Sequence, residues 1–247
     1  MKKIIFILIF AIFSFANETN NDNFSEEFDS EFTSNSKEVF DPLSGYNRIM
    51  TTFNDKVYLN VLVPVSKGYA YVVPETARTG VNNFFNNIMF PVRFVNNLLQ
   101  LKFKNSSEEL GRFLINSLWG LGGFMDLATT ELHMKEHKED FGQTLGFYGV
   151  GEGFHVVLPL LGPSNLRDIV GLTADNVVSP LSRLGEDGID YKIPNTVLEE
   201  YGIKTFDVVN YTSLNPDQYE TIKKDALDLY PFLRDIYSQA RKRQIEE

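Results

Sequence analysis

Residues 141–171 read FGQTLGFYGVGEGFHVVLPLLGPSNLRDIVG, and this stretch restricts the fold more than any other part of the chain. It holds seven of the 17 glycines and is as apolar as a membrane segment, yet Pro159 and Pro163 interrupt it. A bilayer-spanning helix needs ~20 continuous apolar residues, and no run here reaches that length. Glycines allow close backbone contact and positive φ but fill an ordinary core poorly. The stretch is therefore predicted to be strongly apolar without spanning a membrane.

The N-terminus has the pattern of an export signal. Lys2 and Lys3 precede an apolar run from Ile4 to Phe15, and Ser14 and Ala16 offer a small-x-small cleavage site. Such a charged and then apolar segment is typical of a secretory signal peptide. Residues 1–16 are predicted to be that signal, and the mature protein is predicted to be exported. An uncleaved anchor is the alternative, disfavoured because the apolar run is short.

Composition excludes several kinds of partner. The formal net charge is −10, and it becomes −12 when Lys2 and Lys3 are lost with the signal. Nucleic acid and anionic lipid surfaces both attract basic patches, so neither partner is expected to be held by charge. Membrane attachment would have to come from apolar surface, for which the 21 phenylalanines are available. The absence of cysteine removes thiolate metal sites and acylation of a lipoprotein cysteine.

The chain divides into four parts by composition. After the signal, residues 17–40 are acidic and polar and are predicted to form a flexible leader. Residues 41–243 carry helix signals throughout and are predicted to form one mainly α domain, followed by a short tail, 244–247. Predicted helices cover Tyr46–Tyr58, Glu109–Thr129 behind a capping box at Ser106, Asn195–Glu200, a segment from Asn215 toward Leu229, and one from Pro231 into the basic residues 240–243. Residues 57–73 are rich in β-formers and leave strands open as an alternative.

The clearest amphipathic pattern spans residues 82–103. Apolar side chains recur at spacings of three and four, and the predicted membrane-interface residues are Phe84, Phe85, Ile88, Met89, Val95, Leu98 and Leu99. The opposite face is almost entirely uncharged amide, which favours a headgroup layer or a hydrated lumen over bulk water. A helix packed on a soluble core gives the same periodicity and remains open. Pro91 is expected to kink or divide the helix.

A second glycine cluster follows at Gly120, Gly122 and Gly123, just before Asp126. Small residues allow helices to pack closely at a seam. The same residues also suit a tight turn between two helices. Both interpretations stay open at this stage.

No group of residues assembles an active site. His133 and His137 with Glu136 fit H-x-x-E-H, in which two zinc ligands lie one helical turn apart. The surroundings are charged, and no third ligand can be identified, so neither a metal nor a cofactor is predicted. A zinc-dependent hydrolase remains an alternative function. Arg167 and Asp168 form either a local ion pair or a contact for a phosphate headgroup.

Several blocks together resemble the MlaA family, also called VacJ. They are DPLSGYNRIM (41–50), VPETARTGVNNFFNN (73–87), GRFLINSLWGLGGFMDLA (111–128), DFGQTLGFYGVGEGFHVVLPLLGPSNLRD (140–168) and YPFLRDIYSQAR (230–241). The similarity covers about 41–243 in the same order. It departs from the family at SFANETN (14–20), where typical relatives carry an acylated cysteine.

The resemblance implies a helical, ring-shaped domain embedded in the periplasmic leaflet of the outer membrane, with a central channel. It implies a non-enzymatic conduit that removes mislocalised phospholipid from the outer leaflet and passes it to a periplasmic carrier of the Mla type, in some relatives held by a trimeric porin. Apolar area would replace the lipid anchor. The channel or gating candidates are Tyr46, Asn47, Gly120, Gly122, Gly123, Asp126, Gly149, Gly151, Gly153, Arg167 and Asp168. A scaffold that binds envelope proteins without moving lipid is a further alternative.

Overall fold

A computed structural model describes residues 40–184 and 191–247, and these form a mainly α fold, as predicted. The predicted signal peptide and nearly all of the leader lie outside the described residues. The elements are α1 (Ser44–Val57), a π-helical segment (Tyr58–Leu62), α2 (Val63–Val72), α3 (Glu75–Ile88), α4 (Phe90–Leu99), α5 (Phe103–Leu118), α6 (Leu127–Thr130), α7 (Phe141–Phe147), β1 (His155–Leu158), β2 (Gly162–Asn165), α8 (Leu166–Val178), α9 (Val197–Leu214), α10 (Gln218–Lys224) and α11 (Leu229–Glu246).

The strand interpretation of residues 57–73 is wrong, because the backbone stays helical from α1 through the π-helical segment into α2. Pro64 lies in the first turn of α2. Proline is tolerated at that position, and the π-helical turn before it relaxes the regular hydrogen-bond ladder. The β-forming side chains of this region therefore follow the helix, and α2 packs against α9.

Residues 82–103 form two helices, as Pro91 predicted. The break falls at Met89, and Pro91 occupies the first turn of α4. The capping box predicted at Ser106 is wrong, because α5 begins earlier, at Phe103, and both Ser106 and Glu109 are buried within it.

The predicted helix Glu109–Thr129 is also wrong, since α5 ends at Leu118 and a turn leads to α6. Gly122 and Gly123 have φ of 73° and 101°, so the cluster is a turn. A Cβ on Gly120 would stand 2.3 Å from the Met125 carbonyl oxygen, which explains why only glycine fits there.

Residues 141–171 fold into α7, a β-hairpin and the start of α8. The two strands pair from His155 opposite Asn165 to Leu158 opposite Gly162. Gly142 and Gly171 bring α7 and α8 into contact, since a Cβ on Gly171 would be 2.4 Å from the Gly142 nitrogen. Across the described residues, no helix has the length and apolarity to cross a bilayer.

The last helix packs against elements from the start and the middle of the described structure. The segment predicted to run from Asn215 to Leu229 is interrupted, because α10 ends at Lys224 and α11 starts at Leu229, two residues before the predicted start at Pro231. Helix α11 packs on α7, β2 and α1. Arg241 is buried inside this junction, whereas the sequence showed it only as one of the basic residues at the end of the predicted helix.

Candidate functional site

Helix α5 has its polar side chains inside and its large apolar side chains outside. The buried residues of this helix are Ser106, Glu109, Arg112 and Asn116. Its exposed large apolar residues are Phe103, Leu110, Leu114 and Leu118. A helix on the surface of a water-soluble protein shows the opposite arrangement, because burial of apolar surface drives folding in water.

Helix α4 shows the same inversion, which corrects the expectation that its amides face a headgroup layer or an open lumen. Asn96, Asn97 and Gln100 are buried, while Leu98 and Leu99 are exposed. The Asn96 amide donates to Asp175 at 2.8 Å, and the Gln100 amide donates to Glu139 at 2.7 Å. An amide suits this interior because it donates and accepts at once, so it can satisfy several buried groups.

The exposed apolar side chains between residues 98 and 125 form a surface that we call the apolar collar. Its members are Leu98, Leu99, Leu101, Phe103, Leu110, Leu114, Leu118, Trp119, Leu121, Phe124 and Met125. Exposed apolar patches of this kind mark protein or membrane contact sites. The collar gives the described part of the chain an apolar surface, although no helix there is long and apolar enough to cross a bilayer.

Behind the collar, buried charges are paired. Glu109 is fully buried, and Arg93 donates to it at 2.6 Å. Arg112 lies 3.1 Å from Asp126, whose carboxylate also caps α6 by accepting from the Thr129 backbone N–H. Burial opposes ionisation of Asp126, but the hydrogen bonds and the Arg112 charge outweigh it and hold its pKa below the ordinary value. Asp126 therefore serves the turn after α5.

A cavity of about 220 Å³ lies among helices α3, α4, α7, α8, α9 and α11. Its apolar lining includes Phe85, Met89, Val92, Leu172 and Val208. The charged residues that line it are Arg93, Glu136, Lys138, Glu139, Asp140, Asp168, Asp175, Asp207 and Arg241. The lining can thus contact both hydrocarbon and a polar or charged group.

Arg241 joins two carboxylates in the wall of this cavity. Its guanidinium donates to Asp140 at 2.6 and 2.8 Å and to Asp168 at 2.9 and 3.0 Å. Arg167 adds an N–H to Asp168 at 3.0 Å, so the local ion-pair interpretation of Arg167 and Asp168 is correct. Although burial alone would raise the pKa of Asp168, the charge and hydrogen bonds of Arg241, with Tyr237, hold it below its ordinary value.

Two other cavity carboxylates have no cationic partner in the described ranges. Asp175 accepts from the Asn96 amide and, at 3.0 Å, from the Phe141 backbone N–H. Asp207, on α9, receives neither a hydrogen bond nor an ion pair from residues 40–184 or 191–247. Desolvation raises the pKa of Asp207 to about 7, and burial together with the Asp140 charge raises the pKa of Asp175.

Asn47 lies outside the cavity lining, and its side chain connects α1 to the hairpin and to α11 by hydrogen bonds. Its amide donates to the His155 carbonyl at 3.1 Å and to the Tyr230 hydroxyl at 3.0 Å, and it accepts from the Val157 N–H at 2.8 Å. Tyr230 in turn donates to Asp41. Tyr46 is on the surface beside it, 41% exposed. Both remain candidates for control of the channel, although neither lines the cavity.

The remaining predicted residues are spread over the molecule. Gly149, Gly151 and Gly153 lie in the loop between α7 and β1, and Gly120, Gly122 and Gly123 lie in the collar turn, so of the predicted channel residues only Asp168 lines the cavity.

The predicted membrane-interface residues fall into exposed, half-buried and cavity-lining groups. Leu98 and Leu99 are exposed in the collar, whereas Phe84, Ile88 and Val95 are half-buried. Phe84 stacks on Phe124 with ring centroids 4.9 Å apart. Phe85 is buried and, like Met89, lines the cavity, which removes both from the membrane-facing set.

The structure does not place His133 and His137 in the arrangement that the zinc alternative requires. Helix α6 ends at Thr130, and His133 has φ of 52°, so His133 and His137 are not one helical turn apart. The His137 ring nitrogen lies 2.6 Å from a Glu108 carboxylate oxygen. Within the described ranges, no group of three histidine or acidic side chains is arranged to hold a metal ion.

Sequence reasoning missed the residues that give the cavity its charge, chiefly Asp175, Asp207 and Arg241. A signal was present, since Asp175 and Asp207 each interrupt an apolar helical run, in GLTADNVV (171–178) and TFDVVN (205–210). A lone acid in such a run is costly to bury, and acids of this kind mark functional sites.

These features define a helical protein with an apolar outer collar, buried polar groups and no spanning helix within residues 40–184 and 191–247. The chain belongs to the MlaA lipoprotein family, whose model matches residues 39–244.

Relatives and a solved structure agree with that membership. An uncharacterised Rickettsia bellii protein is 29% identical over 213 residues, which are 85% of this chain and 78% of that protein. The intermembrane phospholipid transport system lipoprotein MlaA of Escherichia coli K12 is 40% identical over 147 residues, 58% of this chain and 59% of its own length. A solved structure described as the structural basis for maintenance of bacterial outer membrane lipid asymmetry aligns with a TM-score of 0.69 and 30% identity, over 84% of this chain and 100% of that one.

Proposed function

We propose that the protein is a phospholipid-transport component of the bacterial outer membrane that works as a conduit without covalent chemistry. It would take mislocalised phospholipid from the outer leaflet and pass it toward a periplasmic carrier of the Mla type, which maintains lipid asymmetry. The observation that carries this proposal is the inverted packing, in which the apolar collar is exposed, amides and ion pairs are buried, and a cavity has both apolar and charged lining residues.

The cavity suits lipid transfer because its lining combines two kinds of side chain. Phe85, Met89 and Val208 offer apolar contact for the upper part of an acyl chain, while the charged residues of the lining can replace water around a headgroup. Transfer of an amphiphile needs both surfaces side by side and needs no bond to be made or broken. The relatives' name, an intermembrane phospholipid transport system lipoprotein, agrees with this chemistry.

The collar supports a location in one leaflet. Leu118, Trp119 and Leu121 are 69%, 67% and 72% exposed, and burial of each such side chain contributes on the order of 1.5–3 kcal/mol. Several of them together exceed the membrane affinity that a single acyl chain provides. We propose that the collar is sufficient to hold the protein in the periplasmic leaflet of the outer membrane, with a trimeric porin as a further possible support.

The test measures outer-leaflet phospholipid in cells that lack the protein and in cells that carry a blocked cavity. Asn82 lines the cavity from α3, so Asn82→Trp places an indole inside it, whereas Thr79→Trp on the same helix adds the same ring at an exposed position. Deletion and Asn82→Trp should both raise outer-leaflet phospholipid, and Thr79→Trp should match the wild type at equal protein level.

The same experiment separates a conduit from a scaffold. If deletion disturbs envelope proteins but leaves outer-leaflet phospholipid unchanged, the protein is a scaffold and the conduit proposal is refuted. If Asn82→Trp restores asymmetry as well as the wild type does, the cavity is not the lipid path.

A further inference from the structure

The charges in the cavity wall are unbalanced, and the imbalance is negative. Each lining cation already has a carboxylate: Arg93 is paired with Glu109, Lys138 with Glu136, and Arg241 with Asp140 and Asp168. Glu139 is paired with Lys102 at 2.6 Å. Asp175 and Asp207 are the lining carboxylates left without a cation in the described part of the chain.

Asp207 is the less satisfied of these two. Asp175 has the Asn96 amide and the Phe141 N–H as donors, but no residue of the described ranges donates to the Asp207 carboxylate. Asp207 is half-buried, and a carboxylate with restricted access to water is stabilised as an anion by a neighbouring N–H donor or positive group. Because Asp207 faces the cavity and its pKa is raised to about 7 by desolvation alone, a cation that enters the cavity meets a group that is ready to ionise beside it.

The positive group that fits is an alkylammonium. It is compact and carries three N–H donors, so it can enter a cavity of this size and donate to the Asp207 carboxylate. A headgroup with net negative charge would instead bring like charge against these carboxylates, which is unfavourable in a partly dry site. The phosphate of a zwitterionic headgroup can turn toward Lys138, which is 38% exposed and whose pairing with Glu136 is loose at 3.4 Å.

We propose that the cavity selects phospholipids whose headgroup carries an ammonium, with Asp207 as the residue that accepts its N–H groups. This inference rests on the proposed function, since it assigns the substrate class of the same cavity. It separates phosphatidylethanolamine, which is zwitterionic, from phosphatidylglycerol, which is anionic.

The experiment measures which lipid the protein retains. The full mature protein is incorporated into nanodiscs that hold equal amounts of phosphatidylethanolamine and phosphatidylglycerol, extracted in mild detergent, and its bound lipid is quantified by mass spectrometry. The wild type should retain an excess of phosphatidylethanolamine. Loss of one charge-assisted hydrogen bond should reduce that excess roughly tenfold in Asp207→Asn. Asp207→Glu should keep most of it.

Asp225→Asn is the matched control, because it removes the same charge from an exposed position after α10. It should leave the lipid ratio unchanged. A wild type that retains both lipids in the bilayer ratio, or an Asp207→Asn protein that keeps the full excess, would overturn the selection proposal while leaving the conduit intact. A folded wild type that retains no lipid would instead contradict the proposed function itself.

Discussion

Removal of the Arg241 guanidinium should release the C-terminal helix from the centre of the molecule. Arg241 is 4% exposed and gives four N–H contacts of 2.6–3.0 Å to Asp140 and Asp168, which join α11 to α7 and α8. In Arg241→Met both carboxylates lose their shared cation. We therefore expect local separation of α11 and a less stable fold.

The magnitude follows from what each carboxylate retains. Breaking a buried ion pair on one side costs about 3–5 kcal/mol. Asp168 keeps Arg167, Tyr237 and Asn165 as donors, and the Asp140 side chain is 37% exposed and can rehydrate. The lower end applies, so we expect a loss of about 3 kcal/mol, which lowers the melting temperature by roughly 6–12 °C for a domain of this size.

Thermal unfolding in detergent micelles, followed by circular dichroism at pH 7, measures this loss. Lys242→Met removes the same charge one residue later from an exposed position, and it should shift the melting temperature by less than about 2 °C. Because the Asp168 pKa is held low in the folded state, its contribution is present at neutral pH and is lost as the pH falls through that depressed value, so the difference between variant and wild type should shrink in acid. If Arg241→Met melts within about 3 °C of Lys242→Met at pH 7, the assigned role of Arg241 is wrong.

Three further predictions concern close packing, the collar and Asp207. Gly142→Ala should destabilise the fold by about 1–3 kcal/mol, because its Cβ would stand 2.5 Å from an Asp168 oxygen. In the same thermal unfolding assay, Gly202→Ala should be neutral or slightly stabilising, because no atom lies within 4 Å of the added Cβ. The double variant Leu118→Glu/Leu121→Glu should abolish flotation with liposomes. Leu227 is fully exposed among charged neighbours, so Leu227→Glu should float like the wild type. Equal flotation of the wild type and both variants would show that the collar does not bind the membrane. Asp207→Asn should be more stable than the wild type by up to about 4 kcal/mol at pH 8 and equal to it near pH 3, since a raised pKa means that the wild type loses stability as the pH rises from about 4 through about 7. A constant difference across this range would contradict the assignment of Asp207 as a half-buried carboxylate without a partner in the described residues.

The sequence predicted the helices better than it predicted which way they face. The spacing of Leu98, Leu99 and the amides of α4 places them on opposite faces whether the surroundings are water or lipid. Periodicity therefore shows that a helix is amphipathic but does not determine which of its faces is buried. The almost uncharged polar face is the usable signal; it favours a headgroup layer or a hydrated lumen, whereas Asn96 and Asn97 donate to partners inside the fold.

The candidate site was harder to predict because its parts are distant in sequence. Arg241 and Asp140 are 101 residues apart, and no local pattern connects them. Prediction of their contact needs the packing of α11 on α7, which depends on the absence of a side chain at Gly142. The hairpin was missed for a simpler reason, since strands of four residues give too short a pattern to distinguish from a loop.

The inverted packing also explains why so few apolar residues form a core. In the described ranges the buried apolar cluster is Val156, Leu158 and Leu161, at the hairpin, while the helices bury amides and ion pairs. In α4 and α5 the exposed face is apolar, so the buried residues are mostly polar or charged. Asn96 shows how such buried groups can pair, since it donates to Asp175 and accepts from Thr144. Asp207 has no such partner among the residues that the structure describes, which is why a ligand with a positive charge is the simplest completion of this network in our proposal.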